Sequence, residues 1–447
     1  MARRPNLLLV FADQMRAEAL GSANPQVQTP CLDRMGAQGV TFTNAIANLP
    51  LCTPSRASLL TGRYPLGCRS VVNDLPLPTD QVTFAHVLGE AGYRTGYVGK
   101  WHLDRWPRSR FTPPGPDRQG FADYWAVHNC THRYFAPRYY LDTPELITPE
   151  GYEPEVQTEL ALGFLRRFRD DPWCLVLSWG PPHDPYDQVP ERYRAIYDPE
   201  KLVLRPNCGP EANRRVIADY YAAVTALDEN CGRLLVALEE LGLAEDTLVV
   251  FTSDHGDMLY SQGRSQKQAP WEEAIGIPLL MRWPGVLPAG LTSPELFGIA
   301  DLAPTLLSLL GCPVPPVMEG EDLAALIRGR QAPGRSSVPI MSLVPTDNAK
   351  RYQDRPWRGV RTPRHTYARW QDRGWVLYDH QADPYQLHNL VDDPAHAELQ
   401  AELEAELGRW LDRLHDPFPD EQGCLALLGL TREWEERQAH FHQGGNW

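Results

Sequence analysis

The sequence predicts an α/β fold with a large, mainly parallel sheet sandwiched by helices, followed by a smaller C-terminal α+β domain with a short antiparallel sheet. Two observations support this prediction: short uninterrupted apolar runs alternate with helical patterns, and the pattern changes from about Ser336. Parallel strands are covered by helices on both faces, so their apolar residues run without a break. At 447 residues the chain can bury a large core.

Four apolar runs predict the strands of the large sheet, and three helical patterns lie between or after them. Strands that alternate with helices are typical of a mainly parallel sheet. The predicted strands are Leu7–Ala12, Thr95–Val98, Cys174–Ser178 and Leu248–Thr252, and the predicted helices are Thr83–Ala91, Arg214–Leu241 and Asp301–Leu310.

The smaller domain is predicted over residues 336–447, after a larger domain over residues 1–335. Short strand patterns with turns are predicted over Arg358–Tyr378, and the step Asp372-Arg373-Gly374 marks a hairpin turn. A stretch rich in Ala, Glu and Leu predicts a helix over Pro394–Leu414.

Composition and charge exclude several classes of protein. A formal net charge of −14 argues against nucleic acid or an anionic membrane as the main partner. The nine scattered cysteines show no CxxC spacing, which argues against a disulfide framework or a zinc knuckle. No run approaches the roughly 20 apolar residues of a membrane span. The run Leu7–Ala12 is too short for a signal peptide, so we expect a cytoplasmic location unless a leader is missing from this sequence.

The stretch LCTPSRASLLTGRYP predicts a helix with a cysteine just before its start. Thr53 can cap the helix, and Pro54 suits its first position. The helical run Ser55–Thr61 ends at Gly62, a residue that commonly terminates a helix. Cys52 would then lie at the positive end of the helix dipole, beside Arg56. Such a position favours anion binding or an activated nucleophile.

Polar residues follow each of the four predicted strands. Ligands of open α/β sheets bind beyond the carboxyl ends of the strands, so these residues predict one shared site. They are Asp13-Gln14, Lys100 with His102, His183, and Asp254-His255.

Taken singly, each of these residues has an ordinary structural interpretation. An aspartate after a strand, such as Asp13, is most often a helix cap or a turn former. Lys100 and His102 can be solvated loop residues, and His183 can merely be ordered by Asp184. Lys267 on its own is interpreted as solvent-facing. The functional prediction rests on their occurrence together.

Several motifs resemble those of the formylglycine-dependent type I sulfatases of the alkaline-phosphatase-like superfamily. The most specific is Cys52-Thr53-Pro54-Ser55-Arg56 with Leu60-Thr61-Gly62-Arg63 downstream. The resemblance extends over nearly the full length. Further matching segments are Gly99-Lys100-Trp101-His102, Trp271-Glu272-Glu273-Ala274 with Ile277-Pro278-Leu279, and Leu377-Tyr378-Asp379 with Asp383-Pro384 and Asn389-Leu390.

The resemblance implies that Cys52 is a precursor, which a formylglycine-generating enzyme oxidises to formylglycine. The hydrated aldehyde has two hydroxyls: one attacks sulfur and the other later expels the sulfate ester. The resemblance also implies roles for the neighbouring residues. Arg56 and Lys100 would hold the diol and the metal end, and His102 would accept the remaining diol proton. His183 and Lys267 would contact the sulfate. Either His183 or Lys267 would protonate the leaving oxygen.

The resemblance also implies one divalent cation, held by Asp13, Gln14, Asp254, His255 and the formylglycine at position 52. Many relatives have two adjacent aspartates where this chain has Asp13-Gln14. Calcium is the first choice because most of the ligands are oxygens, and the imidazole makes manganese competitive, with magnesium as a further alternative.

The expected activity is hydrolysis of a sulfate monoester of a sugar or a phenol. The Asp-Gln and Asp-His pairs are also similar to those of phosphonate monoester hydrolases, so a phosphonate monoester or phosphodiester hydrolase is the alternative. A non-catalytic binding protein would have lost ligands, yet the set is complete apart from the exchange at Gln14.

The organic part of the substrate is less defined by the sequence. The loop from about Arg105 to Glu155 is the predicted specificity segment. A set of aromatic residues could line a wall for a sugar ring, or could pack in the core. They are Trp101, Trp106, Trp125, Tyr134, Tyr139 and Tyr140.

Overall fold

A computed structural model describes residues 4–329 and 334–442 and confirms the predicted fold class. The large sheet has ten strands in the order β10-β2-β9-β8-β1-β7-β3-β4-β5-β6. Their bounds are β1 Asn6–Asp13, β2 Val40–Ile46, β3 Arg94–Lys100, β4 Tyr124–His128, β5 Tyr139–Tyr140, β6 Leu146–Ile147, β7 Trp173–Pro182, β8 Thr247–Ser253, β9 Gly276–Arg282 and β10 Leu291–Gly298.

Strand β1 lies at the centre of this sheet and pairs in parallel with β7 on one side and β8 on the other. Leu8 and Val10 belong to the core on one face, and Leu9 and Phe11 belong to the core on the other. Because successive side chains of a strand point to opposite faces, a strand covered on both faces must be apolar throughout. This explains the uninterrupted run, and all four predicted strands are confirmed.

Helices cover both faces of the large sheet. Those on one face include α1, α4 and α6, and those on the other include α2, α3 and α8, so the three predicted helices are confirmed as α3, α6 and α8. The bounds are α1 Pro30–Ala37, α2 Cys52–Thr61, α3 Phe84–Glu90, α4 Glu153–Arg167, α5 Glu191–Arg194, α6 Arg214–Glu240, α7 Glu272–Ile275, α8 Leu302–Leu309, α9 Ala324–Ile327, α10 Asp347–Arg351, α11 Ala397–Arg413, α12 Glu421–Leu427 and α13 Thr431–His442.

Six strands of the large sheet were not among the predicted strands, namely β2, β4, β5, β6, β9 and β10. Strand β9 runs antiparallel between β2 and β8, which makes the sheet mixed. Strand β2 has polar, incompletely buried residues at Thr41, Thr43 and Asn44, so its sequence lacks the continuous apolar run that marks a central strand.

The second sheet is antiparallel, in the order β11-β12-β13-β14. The predicted hairpin turn is confirmed between β13 and β14, and the predicted C-terminal helix is confirmed as α11, which packs on β12 and β13. The domain boundary between residues 335 and 336 stays a prediction. The strands are β11 Val338–Ser342, β12 Trp357–Arg361, β13 His365–Arg369 and β14 Gly374–Asp379.

The nine cysteines are all free thiols. Over residues 4–329 and 334–442, no helix combines the length and the hydrophobicity that a membrane crossing requires.

Candidate active site

The carboxyl ends of four strands meet at one edge of the large sheet, as the sequence predicted. Asp13 is the last residue of β1, and Lys100 is the last residue of β3. His183 follows β7, whereas Asp254 and His255 follow β8. All five side chains are buried.

Helix α2 brings Cys52 to this edge, but it begins earlier than predicted. Its first residue is Cys52, and the preceding residue provides no side-chain cap. The predicted cap at Thr53 is wrong, because the Thr53 hydroxyl donates to the carbonyl oxygen of His102, at 2.8 Å. Asn73 of a distant loop supplies the cap: its Oδ1 accepts from the Thr53 amide at 2.9 Å. The predicted stop at Gly62 is confirmed by its left-handed φ of 64°. Cys52 therefore lies at the positive end of the helix.

Arg56, one turn along α2, joins the two aspartates of the strand ends. Its Nε donates to Asp254 Oδ2 at 2.9 Å, and its Nη2 donates to Asp13 Oδ2 at 3.1 Å. Its Nη1 donates to the carbonyl oxygen of Lys100 and to the hydroxyl of Ser178, each at 2.8 Å. The Lys100 ammonium also pairs with Asp13. Two buried carboxylates are thus balanced by two cations, as buried charges must be.

Asp13, Cys52, Asp254 and His255 form a buried cluster whose ligand atoms all lie within 4.8 Å of one another. His255 Nδ1 is 2.9 Å from the carbonyl oxygen of Gly256, which can only accept, so Nδ1 carries the proton. The lone pair of Nε2 then faces the cluster, 3.3 Å from Cys52 Sγ. This is how an imidazole is oriented when it binds a metal. The residues therefore fit a divalent cation.

Gln14 and Lys267 complete the cluster. Lys267 Nζ donates to Gln14 Oε1 at 2.6 Å and lies 3.2 Å from Cys52 Sγ. Gln14 Nε2 donates to Asp257 Oδ2 at 2.8 Å, which turns the amide oxygen towards Lys267. The interpretation of Lys267 as solvent-facing is wrong, since its exposed fraction is 9%. Its ammonium is positioned to bind an anion held at residue 52.

The cations around residue 52 favour negative charge there. Burial raises the pKa of the Cys52 thiol, but the positive charges of Lys100 and Lys267 outweigh burial and hold that pKa well below its usual range. Burial likewise raises the pKa of Asp13, and attraction led by Lys100 holds it well below its usual range. The site therefore stabilises an anion at the start of α2.

His102 is positioned by Asp74, a residue that the sequence did not single out. His102 Nε2 lies 3.1 Å from Asp74 Oδ1, so it donates to the carboxylate. Arg108 and Arg437 also donate to Asp74. His102 Nδ1 is buried without a hydrogen-bond partner in the described residues, and His102 lines the same cavity as Cys52. Its lone pair is free to accept a proton from residue 52.

The site opens into a cavity of about 620 Å³. His183 Nδ1 lies 2.8 Å from the carbonyl oxygen of Asp184, and the His183 ring stacks on His132 with centroids 4.2 Å apart. The predicted residues that line the cavity are Cys52, Lys100, His102, His183 and Lys267.

The six aromatic residues considered for a sugar-binding wall do not line this cavity. Trp101, Trp125, Tyr134 and Tyr139 are buried in or against the core. The predicted specificity segment contributes polar residues to the cavity instead, among them Arg108, Arg133 and Arg138.

Three residues around the site were missed by sequence reasoning. Asp257 lies three positions after Asp254 in the same loop, which was a usable signal. Asp74 and Asn73 belong to a loop without a motif, and only the fold brings them to His102 and to α2.

Family models match most of the chain. A model described as Sulfatase matches residues 5–312, and a model described as N-sulphoglucosamine sulphohydrolase, C-terminal, matches residues 262–412. The chain belongs to the sulfatase family. The resemblance and the enzyme class that the sequence predicted are confirmed.

Individual relatives agree with this assignment. The sulfatase is 40% identical over 425 residues to the ulvan-active sulfatase of Formosa agariphila, covering 93% of this chain and 82% of the relative. It is similar to a structure solved in complex with its substrate D-glucosamine-2-N,6-O-disulfate, with a TM-score of 0.84, 25% identity, and coverage of 94% and 100% of the two chains. A phosphonate monoester hydrolase from Silicibacter pomeroyi gives a TM-score of 0.78 at 25% identity, with coverage of 93% and 96%.

Proposed function

We propose that this sulfatase hydrolyses a sulfate monoester of a saccharide, with residue 52 as the nucleophile after its conversion to formylglycine. The observation that carries the proposal is the position of Cys52 at the start of α2, where Lys267 Nζ and His255 Nε2 lie 3.2 and 3.3 Å from its Sγ. A structural cysteine needs no such surroundings. Similarity to the ulvan-active sulfatase supports a saccharide as the substrate.

The proposed roles follow from contacts. Lys267 and His183 bind the oxygens of the sulfate group, and one of the two protonates the leaving oxygen. Arg56 and Lys100 hold the two aspartates and residue 52 in place. His102 accepts the proton of residue 52 when the sulfate leaves, because its Nδ1 is unprotonated while Nε2 donates to Asp74. Proton transfers of this kind contribute about 10²–10⁴-fold to a rate.

A divalent cation is proposed at Asp13, Gln14, Asp254 and His255, with residue 52 as a further ligand. Such an ion supplies Lewis acidity and lowers the pKa of a bound hydroxyl. The oxygen-rich set favours calcium, and the single imidazole keeps manganese and magnesium as alternatives. The proposed maturation partner is a formylglycine-generating enzyme, which reads the sequence around Cys52.

The test is release of inorganic sulfate from sulfated saccharides by protein co-produced with a formylglycine-generating enzyme, with phenyl phosphonate monoesters assayed in parallel. We expect sulfate release that the Cys52→Ala variant lacks. Faster hydrolysis of the phosphonate monoester would support the alternative, which the likeness to a phosphonate monoester hydrolase favours. Turnover by Cys52→Ala equal to that of the matured protein would refute residue 52 as the nucleophile.

A further inference from the structure

The cavity above the site carries a charge opposite to that of the chain. The formal net charge of the chain is −14. Among the described residues that line the cavity, the carboxylates are Asp184 and Asp347, whereas the cations are Lys100, Lys267, Arg108, Arg133, Arg138, Arg351 and Arg437. One sulfate monoester, with its single negative charge, does not account for this excess.

Part of this positive charge is already neutralised within the protein. Lys100 pairs with Asp13. Lys267 donates to the neutral amide of Gln14 and so keeps its charge, which the proposed function assigns to the scissile sulfate. Arg108 and Arg437 both donate to the buried carboxylate of Asp74.

Apart from Lys267, the remaining cations are Arg133, Arg138 and Arg351, named here the rim arginines. In the part of the chain that the structure describes, none of them forms an ion pair with a carboxylate. Arg133 and Arg138 belong to the loop that follows β4, and Arg351 is the last residue of α10 in the C-terminal part of the chain. The cavity thus has unneutralised guanidinium groups on two walls that come from distant parts of the sequence.

A further observation indicates that this charge is directed into the cavity. Burial is the main cause that lowers the pKa of His128, a residue that lines the cavity, to about 4. The positive charge of Arg138 is the second cause, so the Arg138 guanidinium lies near that ring. Neither acidic residue of the lining pairs with a rim arginine.

We propose that the cavity selects a saccharide with at least one further anionic group besides the scissile sulfate, and that the rim arginines bind that second group. The inference rests on the proposed function and names its substrate class: a polyanionic saccharide that carries a uronate carboxylate or a second sulfate. Guanidinium groups bind both kinds of oxyanion through paired hydrogen bonds. In a chain of net negative charge, local cations are also what brings such a substrate to the site.

The test compares saccharides that share the scissile sulfate and differ in one group. One pair is a sulfated uronate disaccharide and its uronate methyl ester, and the other is a disulfated disaccharide and its monosulfated counterpart. We expect kcat/KM to be at least about tenfold higher for the more highly charged member of one pair. The pair that shows the preference identifies the second anion as a carboxylate or a sulfate. The preference should weaken as ionic strength rises.

Variants then locate the effect. Arg133→Ala, Arg138→Ala and Arg351→Ala are each expected to reduce the ratio of kcat/KM within the preferred pair, by about tenfold where the arginine contacts the second anion. Arg34→Ala is the matched control, since Arg34 is an exposed arginine on α1 that does not line the cavity. It removes the same charge from the global field and should leave the ratio unchanged.

The inference is overturned if neither pair shows a preference, or if the ratio survives in all three rim variants. Thermal unfolding of each variant shows whether it is folded, and the salt dependence of the wild-type ratio tests the inference without any variant. Failure of the proposed function looks different. In that case the matured protein releases sulfate from none of the four saccharides and from no aryl sulfate.

Discussion

Replacing Asp74 by asparagine is expected to stall the enzyme after the first half of its reaction. In the proposed mechanism, the first half transfers the sulfate group to residue 52 and releases the alcohol, and the second half needs a base to accept the remaining proton of that residue. His102 can serve as this base only while Nε2 is protonated, and Asp74 holds the proton there. Asp74→Asn therefore acts on the second half through the tautomer of His102.

The contacts of Asp74 explain why the amide cannot simply rotate to restore the arrangement. Oδ1 accepts from His102 Nε2 at 3.1 Å and from Arg108 Nε at 2.7 Å. Oδ2 accepts from Arg108 Nη2 at 3.0 Å and from Arg437 Nη2 at 2.8 Å. Each oxygen faces donors, so the new NH₂ group opposes at least one of them. If it faces His102, the ring must protonate at Nδ1 and ceases to be a base. We expect the second half to slow by about 10²–10³-fold, within the range of general base catalysis.

The assay is rapid-quench kinetics with para-nitrophenyl sulfate, in which phenol and inorganic sulfate are measured separately. Asp74→Asn should give a burst of phenol close to one per matured site, followed by slow release of phenol and sulfate together. Intact-mass measurement during the slow phase should find the sulfated protein.

A variant that is merely destabilised would not show this burst. Asp416→Asn is the matched control, since Asp416 accepts two hydrogen bonds from the buried Arg358 outside the cavity. Both substitutions break a buried pair, at a cost of about 3–5 kcal/mol in unfolding free energy. The reasoning is refuted if Asp74→Asn shows no burst and turns over at the wild-type rate, or if Asp416→Asn gives the same burst.

Two further predictions concern pH and the metal. Burial raises the pKa of Glu153 from 4.5 to about 8. Between these two values the native state keeps a proton that the unfolded chain loses. The free energy of unfolding should therefore fall as pH rises from about 4.5 to 8, by at most about 5 kcal/mol. Glu153→Gln removes this dependence, so the melting temperature of the variant relative to that of the wild type should rise between pH 5 and pH 9. Parallel pH profiles of the two proteins would contradict the raised pKa of Glu153. Chelation of divalent ions should abolish sulfate release and lower the melting temperature, since an ion at a thousand times its Kd stabilises by about 4 kcal/mol. Calcium should restore both, and full activity in the presence of chelator would contradict a metal at Asp13 and Asp254.

The sequence predicted the strand ends well because central parallel strands are recognisable from composition alone. The runs that became β1, β3, β7 and β8 are apolar on both faces, and whatever follows such a strand must lie at the same edge of the sheet. This is why Asp13, Lys100, His183, Asp254 and His255 were found together.

Features that depend on distant loops were not predictable in the same way. Asn73 caps α2 and Asp74 orients His102, although no local pattern distinguishes these residues from other loop residues. Lys267 looked solvent-facing because its neighbours in sequence are polar, yet the fold buries it between Gln14 and Cys52. Sequence reasoning identified chemical types at strand ends, whereas the partners that tune them came from tertiary structure.

The central claim is that residue 52 works as formylglycine, and one measurement tests it most directly. Protein is prepared with graded amounts of formylglycine-generating enzyme, and the fraction of aldehyde in the peptide Met35–Arg56 is measured by mass spectrometry alongside the rate of sulfate release. The account predicts a rate proportional to the aldehyde fraction, extrapolating to zero for the thiol. A rate that is independent of that fraction would contradict it.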